Sequence, residues 1–222
     1  MSDGSLETLP EHLYGLFAGV GRALADPTRL RVLNLLAQTE RSVDDLAERL
    51  GHSAPNTSMH LKVLQQAMLV SKRREGRRVF YRIAGDRALR LWLSLRDMGL
   101  GELPAAREAM ATHASEPALR ADLWGEALLE KVRDGELVLL DLRPPEEFAA
   151  GHLPGARSFP LAVLDQRLHE LSGETGLVAY CRGPFCVAAI EGVRRLRAAG
   201  FETYRVRGGV ADWLGEGRQL EH

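Results

Sequence analysis

The chain has 222 residues, enough for one large or two ordinary domains, and 45% hydrophobic with 27% charged residues is typical of globular protein. The formal net charge of −1 hides an asymmetry, because residues 1–100 hold 15 Lys/Arg against 11 Asp/Glu and residues 101–222 hold 14 against 19. The basic half is a candidate to bind a polyanion. No signal-like N-terminus and no bilayer-length apolar run occurs, so we expect a cytoplasmic protein without a membrane partner. Two cysteines exclude a disulfide framework.

The first half is predicted to be mainly helical. Apolar spacing and capping residues predict helices over residues 13–24, 28–37, 42–51 and 53–68. Asp26 precedes a proline at a first helical position, Ser42 begins a sequence like a capping box, and Gly51 suits a helix end. The tight turn between the third and fourth helices predicts a helix-turn-helix.

A basic hairpin is predicted after the fourth helix. Glu75-Gly76 separates two alternating runs, and seven Lys/Arg face one acid between Met59 and Arg82. A solvated charged hairpin would have the same composition. Beside a helix-turn-helix, we interpret the hairpin as a wing that neutralises DNA phosphates while the neighbouring helix enters the major groove.

Three motifs make residues 10–100 resemble the ArsR-type winged-helix repressors: Asp26-Pro-Thr-Arg-Leu-Arg31, Ser58-Met-His-Leu-Lys-Val-Leu64 and Arg74-Glu-Gly-Arg-Arg-Val-Phe-Tyr81. The resemblance implies a homodimer on a two-fold double-stranded DNA operator, with the first and last helices of this half at the interface. It implies that base or phosphate contacts come from Asn56, Ser58, His60 and Lys62 of the fourth helix and from Lys72, Arg73, Arg74, Arg77 and Arg78 of the wing. Thr57 is expected to be buried, and His60 alone could equally be a core or capping residue.

No metal or other cofactor is expected. Many relatives of this type bind metal through cysteines in the third helix or through Asp/His clusters in the last one. Residues 42–50 and 86–99 contain neither Cys nor His, the ligands that soft and borderline metals need. The signal is therefore expected to enter elsewhere.

The second half is predicted to be an α/β domain over residues 118–219, after a linker with helical character at 101–117. Strands are expected at 137–142, 156–159, 177–181 and 203–206, and helices at 119–134, 145–150, 161–171, 187–199 and 210–214. Strands that alternate with helices predict a parallel sheet covered on both faces. The fold class is thus two domains, a mainly α winged helix-turn-helix followed by an α/β parallel sheet. Residues 220–222 resemble the start of a vector-derived tag.

Four sequences in this half together resemble a single rhodanese domain: Asp141-Leu-Arg143, Glu147-Phe-Ala-Ala-Gly-His-Leu-Pro-Gly-Ala156, Tyr180-Cys-Arg-Gly-Pro-Phe-Cys186 and Gly208-Gly-Val-Ala-Asp-Trp213. The resemblance implies that Cys181 is a nucleophile that takes a sulfane sulfur and holds it as a persulfide. A cysteine between a strand and a helix faces unpaired backbone N–H groups, which stabilise a thiolate. A phosphatase or arsenate reductase would need Cys-x5-Arg, and the residue at that spacing is Val187.

The other loop residues allow more than one interpretation. Arg182 could hold an anionic donor or only cover the loop. Cys186 could attack a persulfide on Cys181 and expel sulfide, or it could be a small apolar residue of the helix. Asp141 and Arg143 are expected to form an ion pair that supports the loop. His152 is expected in a structural turn, with a role as general base as the alternative.

The leading hypothesis is a transcriptional regulator, with repression expected, that senses reactive sulfur through persulfidation of Cys181. Its small-molecule partner would be thiosulfate, polysulfide or a persulfide, and coupling through dimer contacts around residues 100–120 is expected to release DNA. The alternative is a sulfurtransferase whose winged helix serves dimerisation or localisation. A third hypothesis is an ordinary repressor that carries an idle interaction module.

Overall fold

A computed structural model describes residues 11–113, 121–174, 176–184 and 186–222. The chain forms two compact units, one that ends at Ala88 and one that begins at Leu89. This division falls inside a helix, ahead of the linker expected at 101–117, and the predicted domain bounds stay a prediction. No helix in the described ranges is long and apolar enough to cross a bilayer.

The first unit consists of helices and a small antiparallel sheet, as predicted. Its elements are α1 (Glu11–Leu24), α2 (Pro27–Leu36), β1 (Arg41–Ser42), α3 (Val43–Leu50), α4 (Ala54–Gln66), β2 (Val70–Glu75) and β3 (Arg78–Ile83). The sheet order is β1-β3-β2, and β2 and β3 form the predicted hairpin with Glu75 opposite Arg78. The sequence did not predict β1, because two residues are too short to show an alternating pattern.

Side-chain caps determine where these helices begin. The oxygens of three side chains accept hydrogen bonds from amides three residues later: Asp26, Ser42 and Ser53. The capping box expected at Ser42 is modified, because the Asp45 carboxylate pairs with Arg41 at 2.7 Å and Arg49 at 2.8 Å. Gly51 ends α3 with φ of 69°, a conformation that a side chain disfavours.

Helices α2, α3 and α4 pack around the core of the first unit. Its buried side chains include Val32, Leu33, Leu36, Leu46, Leu50, Leu61 and Leu64. Since these leucines occupy one face of each helix, α4 keeps its opposite face, with Ser58 and Lys62, exposed to solvent. That face is available to a partner.

The second unit contains the parallel sheet. Helix α5 (Asp86–Glu102) runs from the first unit into it. The elements that follow are α6 (Pro104–His113), α7 (Gly125–Arg133), β4 (Val138–Asp141), α8 (Pro145–Ala149), β5 (Arg157–Ser158), β6 (Leu177–Cys181), α9 (Val187–Ala198), β7 (Thr203–Gly209) and α10 (Val210–Gly215). Two short 3-10 helices, Leu161–Val163 and Asp165–Leu171, connect β5 to β6.

All neighbouring strands of this sheet are parallel, in the order β5-β4-β6-β7. Successive residues of β4 and β6 point to opposite faces, so each face has its own core. One core lies on the α9 side of the sheet and contains Leu140, Ala179 and Val193. The other core contains Leu128, Leu139, Val178 and Trp213. Cys181 is the last residue of β6, at the carboxyl edge where ligands of such sheets bind.

Two predicted helices differ from the structure. The helix expected over 119–134 begins at Gly125; residues 119 and 120 lie outside the described ranges, and Trp124 is extended. The Trp124 ring packs edge-on against Trp213 at 5.3 Å, a tertiary contact that overrides helical propensity. The helix expected over 161–171 is instead the pair of 3-10 helices, which buries Leu164 and Leu171.

Candidate functional site

The two cysteines meet at the carboxyl edge of the sheet. Cys181 ends β6 and is 2% exposed, while Cys186 is the N-cap residue of α9 and is partly exposed. Their Sγ atoms lie 2.8 Å apart, and both are free thiols. The pair can therefore hold one proton between two sulfur atoms.

The hydrogen bond between the two thiols shifts their pKa values in opposite directions. The pKa of Cys186 falls to about 6, first because of its hydrogen bond with Cys181, against burial, and then because the amides of Arg182, Ala189 and Ala188 donate to it. The pKa of Cys181 rises well above its ordinary value, because of its hydrogen bond with Cys186 and its burial. The sequence indicated a thiolate on Cys181; the structure gives a pair that loses its first proton easily and its second with difficulty.

This arrangement suits sulfur exchange. Cys181 lines a cavity of about 410 Å³ through which a small molecule can approach. A proton that crosses the 2.8 Å between the sulfurs leaves Cys181 as the thiolate, and the thiolate is the attacking form. The pair can thus present a nucleophile at Cys181 near neutral pH although that residue is buried.

We expect iodoacetamide to alkylate the pair with a midpoint near pH 6, because only the thiolate reacts and the Cys186 pKa is lowered to about 6. In Cys181→Ala the main cause of that lowering is gone, and the midpoint should rise toward the ordinary value of about 8.5. Intact-mass measurements over a pH series check both profiles. Cys186→Ala is the matched control and should alkylate slowly, since Cys181 is 2% exposed; a wild-type midpoint equal to that of Cys181→Ala contradicts the shared proton.

Arg182 is paired with a residue that lies far from it in the sequence. Its Nε and Nη2 atoms donate to both carboxylate oxygens of Glu147 at 2.6–3.1 Å, and Glu147 in α8 is completely buried. Of the two roles expected for Arg182, this geometry matches covering the loop. Glu147 lies within the rhodanese-like motif, but the residues around it do not indicate that its side chain contacts a residue 35 positions away.

Asp141 and Arg143 form the expected ion pair, entirely buried, with Nη2 of Arg143 2.6 Å from the carboxylate. The Tyr180 hydroxyl donates to the same carboxylate at 2.5 Å, and Arg143 donates to the Gly151 carbonyl at 2.8 Å. Burial, followed by the Asp141 charge, raises the pKa of Tyr180 well above its ordinary value. These groups fix β6 relative to the 151–155 turn. Their role is therefore structural support of the loop that follows β6.

His152 lies in that turn, stacked on Phe148 at 3.8 Å with Nδ1 3.1 Å from the Phe148 carbonyl oxygen. Its backbone exchanges two hydrogen bonds with Glu221, so residues 220–222 are part of the folded unit. This placement matches the structural turn. In the described ranges, no three His, Cys, Asp or Glu side chains are grouped as a metal site requires.

The turn between β7 and α10 packs against the backbone of the cysteine loop, residues 181–186. A Cβ on Gly209 would lie 2.3 Å from the Cys181 carbonyl oxygen, so only glycine allows this approach. The Asp212 carboxylate accepts from the Gly209 amide at 2.8 Å and pairs with Arg96 of α5 at 2.5 Å. A Cβ on Gly183 of the loop would lie 3.6 Å from Nη1 of Arg96, so Arg96 lies beside the loop.

The DNA-contacting residues expected on α4 divide into two groups. Ser58 and Lys62 are exposed, and Asn56 is partly exposed with its amide 3.1 Å from Nδ1 of His52. Thr57 is fully buried, as expected. His60 is buried and its Nδ1 lies 3.5 Å from Asp26, which matches the alternative of a core residue, and a DNA contact from His60 stays a prediction.

The wing exposes all five of its expected cations to solvent. The exposed residues are Lys72, Arg73, Arg74, Arg77 and Arg78. Arg73 differs from the others because it pairs with Glu40 at 2.6 Å and Glu75 at 2.5 Å and covers the Phe80 ring. Lys72 lines one groove together with Ser58 and Lys62, so the wing and α4 form a continuous polar surface.

Comparison with known proteins agrees with both units. Residues 26–72 match the bacterial regulatory protein, arsR family, and residues 125–216 match the rhodanese-like domain. The HTH-type transcriptional regulator Rv0324 of Mycobacterium tuberculosis is 41% identical over 88% of this chain and 86% of its own length. The HTH-type transcriptional regulator KmtR of the same organism is 42% identical over 40% of this chain and 69% of its own length.

A solved structure is also similar to the first half. It is the homodimeric winged helix-turn-helix domain of Mb0332 from Mycobacterium bovis, a possible ArsR-family regulator, 37% identical over 47% of this chain and 95% of that one, with a TM-score of 0.42. The full-length similarity to Rv0324 is what decides the family. This chain belongs to the ArsR-family transcriptional regulators, and within them joins the DNA-binding winged helix-turn-helix to a C-terminal rhodanese domain.

Proposed function

We propose that this regulator senses reactive sulfur, and that its affinity for operator DNA changes when Cys181 accepts a sulfane sulfur. The observation that carries the proposal is the pair of free thiols, 2.8 Å apart beside a cavity, in a chain that binds DNA. The family relationship supplies the DNA-binding role, and the pair supplies a reversible modification.

The chemistry needs no outside oxidant, because the sulfane sulfur is itself the electron acceptor. The Cys181 thiolate attacks that sulfur, a new S–S bond forms, and the donor leaves with the electron pair of its broken bond. The Cys186 thiolate then attacks Sγ of Cys181, expels HS⁻ and forms a disulfide. The 2.8 Å separation supports this second step, and the released sulfide carries the two electrons that the cysteines lose.

Helix α5 is a candidate route from the loop to the DNA-binding unit. It begins at Asp86 in the first unit and carries Arg96, whose guanidinium lies beside Gly183 and pairs with Asp212. Asp212 also holds the Gly209 amide that supports the Cys181 carbonyl. A change at Cys181 would shift these contacts and bias the position of α5, which adds a route to the dimer contacts expected at 100–120.

We expect Arg96→Gln to separate modification from response. The loop is still held by Gly209 and Asp212, so sulfur loading of Cys181 should stay within about 2-fold of wild type. The effect of loading on operator affinity should fall from the typical coupling range of about 5- to 150-fold to nearly none. Mass spectrometry and gel shifts on the same samples measure both quantities.

Arg90→Gln is the matched control for Arg96→Gln, because Arg90 is an exposed arginine on the same helix. It should keep the full response. A normal response in Arg96→Gln would show that the signal does not pass through this contact.

We further propose a homodimer that represses transcription from a two-fold operator in the cytoplasm. Helix α1 exposes Tyr14, Leu16 and Phe17, each more than half exposed, and α5 exposes Leu91 and Met98. Such apolar surface supports burial by a second copy of the chain. Sedimentation equilibrium tests this, and a monomer at operator-binding concentrations would overturn it.

The proposed function is tested by treating the reduced full chain with polysulfide and dividing each sample between intact-mass analysis and an operator gel shift. We expect a mass gain of one sulfur atom, or a loss of two hydrogens for the disulfide, together with release of DNA. Modification without any change in operator affinity would overturn sensing.

A second candidate is supported by the cavity at Cys181, which would also serve a sulfurtransferase. In that case, with a thiol present as sulfur acceptor, the chain should turn over many equivalents of donor, release sulfite or thiol, and pass the sulfur to the acceptor. Rapid turnover that leaves operator affinity unchanged would favour the enzyme over the sensor.

A further inference from the structure

The cavity at Cys181 has a largely apolar wall. Its volume is about 410 Å³, and its lining includes Leu142, Pro144, Pro160, Leu161 and Ala188. This wall comes from the turns after β4 and β5 and from the first turn of α9. An apolar group can therefore be buried here with a gain in free energy.

The first cation in the lining, Arg182, is already neutralised. Two of its nitrogen atoms donate to both oxygens of Glu147, with distances from 2.6 to 3.1 Å. Glu147 is completely buried, and this guanidinium compensates its charge through two nitrogen atoms. Moving Arg182 onto an anionic donor would break this ion pair of a buried carboxylate.

The second cation in the lining, Arg195, has two carboxylate partners. Its Nε donates to Glu191 at 2.7 Å and its Nη1 lies 3.2 Å from Asp165. Together with the Arg182–Glu147 pair, two guanidinium groups face three carboxylates, so these five side chains carry a net charge of −1. A dianion such as thiosulfate meets repulsion rather than a cationic pocket.

We propose that the cavity selects an organic hydropersulfide, R–S–SH with a small apolar R group, as the sulfur donor and discriminates against thiosulfate. This inference rests on the proposed function, because it names the donor for the same cysteine. The apolar wall holds R, and the donor needs no free cation. The volume accommodates a donor of several carbon atoms.

The transfer step balances for this donor. The Cys181 thiolate attacks the terminal sulfur of R–S–SH, the S–S bond of the donor breaks, and R–S⁻ leaves with the electron pair of that bond. One negative charge enters the step and one leaves it. With thiosulfate the leaving group would be the sulfite dianion, whose two charges would develop beside the same three carboxylates.

The experiment measures single-turnover loading in the Cys186→Ser full chain. This chain has no second thiolate that could expel sulfide from a persulfide on Cys181. The probes are tert-butyl hydropersulfide and thiosulfate, and intact mass follows the gain of one sulfur atom. Each rate constant is divided by that of free cysteine with the same donor, which removes intrinsic reactivity. We expect the normalised ratio to favour the hydropersulfide by about 10-fold or more; a ratio that favours thiosulfate overturns the proposal.

Two charge variants in the same background test the cause. Ala162→Lys adds a cation at an exposed position of the lining, and Asp165→Asn removes one carboxylate partner of Arg195. Both should raise thiosulfate loading, Ala162→Lys by about 10-fold, and both should raise the ratio of thiosulfate loading to hydropersulfide loading. Glu130→Gln makes the same charge change as Asp165→Asn on α7, which packs on the other face of the sheet, and should change neither rate.

No gain in thiosulfate loading in either variant would overturn the electrostatic selection. The outcome is separable from that of the proposed function, because loading is measured without DNA. Loading by hydropersulfide without a change in operator affinity would overturn sensing alone. Preferential loading by thiosulfate with an intact operator response would overturn the donor inference alone.

Discussion

Cys181→Ser is expected to bind operator DNA as tightly as the reduced wild-type chain and to lose all response to polysulfide. A serine hydroxyl has no accessible alkoxide near neutral pH, so the first S–S bond cannot form. The substituted residue lies in the second unit, at the end of β6, and the wing and α4 remain unchanged. Wild-type affinity should fall by about 5- to 150-fold on loading, and that of Cys181→Ser should stay constant. Gel shifts with and without polysulfide measure the difference.

Cys186→Ser is the matched control, because it removes the neighbouring sulfur 2.8 Å away and keeps Cys181. It should gain sulfur but form no disulfide, so its response shows whether persulfidation alone is sufficient. A response to polysulfide in Cys181→Ser would exclude Cys181 as the sensor. Retained response in Cys186→Ser would identify the persulfide, rather than the disulfide, as the signal.

The shared proton explains why a sensor would keep both cysteines. A lone Cys181 is buried, and burial raises the pKa of a thiol and slows its reactions. With Cys186 at the N-terminus of α9, where backbone amides donate to it, the pair loses a proton at lower pH than an isolated thiol. The protein can thus keep its nucleophile away from solvent without losing reactivity.

The sequence predicted features that depend on neighbouring residues. Asp26, Ser42 and Ser53 cap the helices they precede, and β6 ends at Cys181 as expected, because caps and short apolar runs are local signals. The spacing of five residues allowed the two sulfurs to approach in one of the two interpretations of Cys186, and the structure places them 2.8 Å apart. Local patterns were therefore sufficient to locate the candidate site.

The remaining features depend on contacts that are distant in sequence. Glu147 neutralises Arg182 from 35 residues away, and Arg96 reaches Asp212 across 116 residues, so neither role could be assigned from local patterns. The two interpretations of His60 stayed open for the same reason, since its neighbour Asp26 precedes another helix. In each case a charged partner from elsewhere in the fold decided what the side chain does.

The double variant Arg77→Ala/Arg78→Ala is expected to weaken operator binding on the order of 100-fold and to flatten its dependence on salt. Both arginines are exposed at the tip of the wing, where they can reach phosphates without breaking an ion pair such as that of Arg73. Each lost phosphate contact should reduce the slope of log affinity against log salt by about 0.9. Because phosphate contacts carry no sequence information, nonspecific DNA should be affected in the same proportion.

Arg133→Ala provides the control for net charge. Arg133 is an exposed arginine on α7 in the second unit, where it pairs with Glu126, and its loss changes the charge of the chain by the same amount per residue. Fluorescence anisotropy over a salt series should give wild-type slopes for Arg133→Ala. Unchanged slopes in the wing variant would remove the wing from the DNA interface, whereas a reduced slope only there would show that local contacts, rather than overall charge, hold the phosphates.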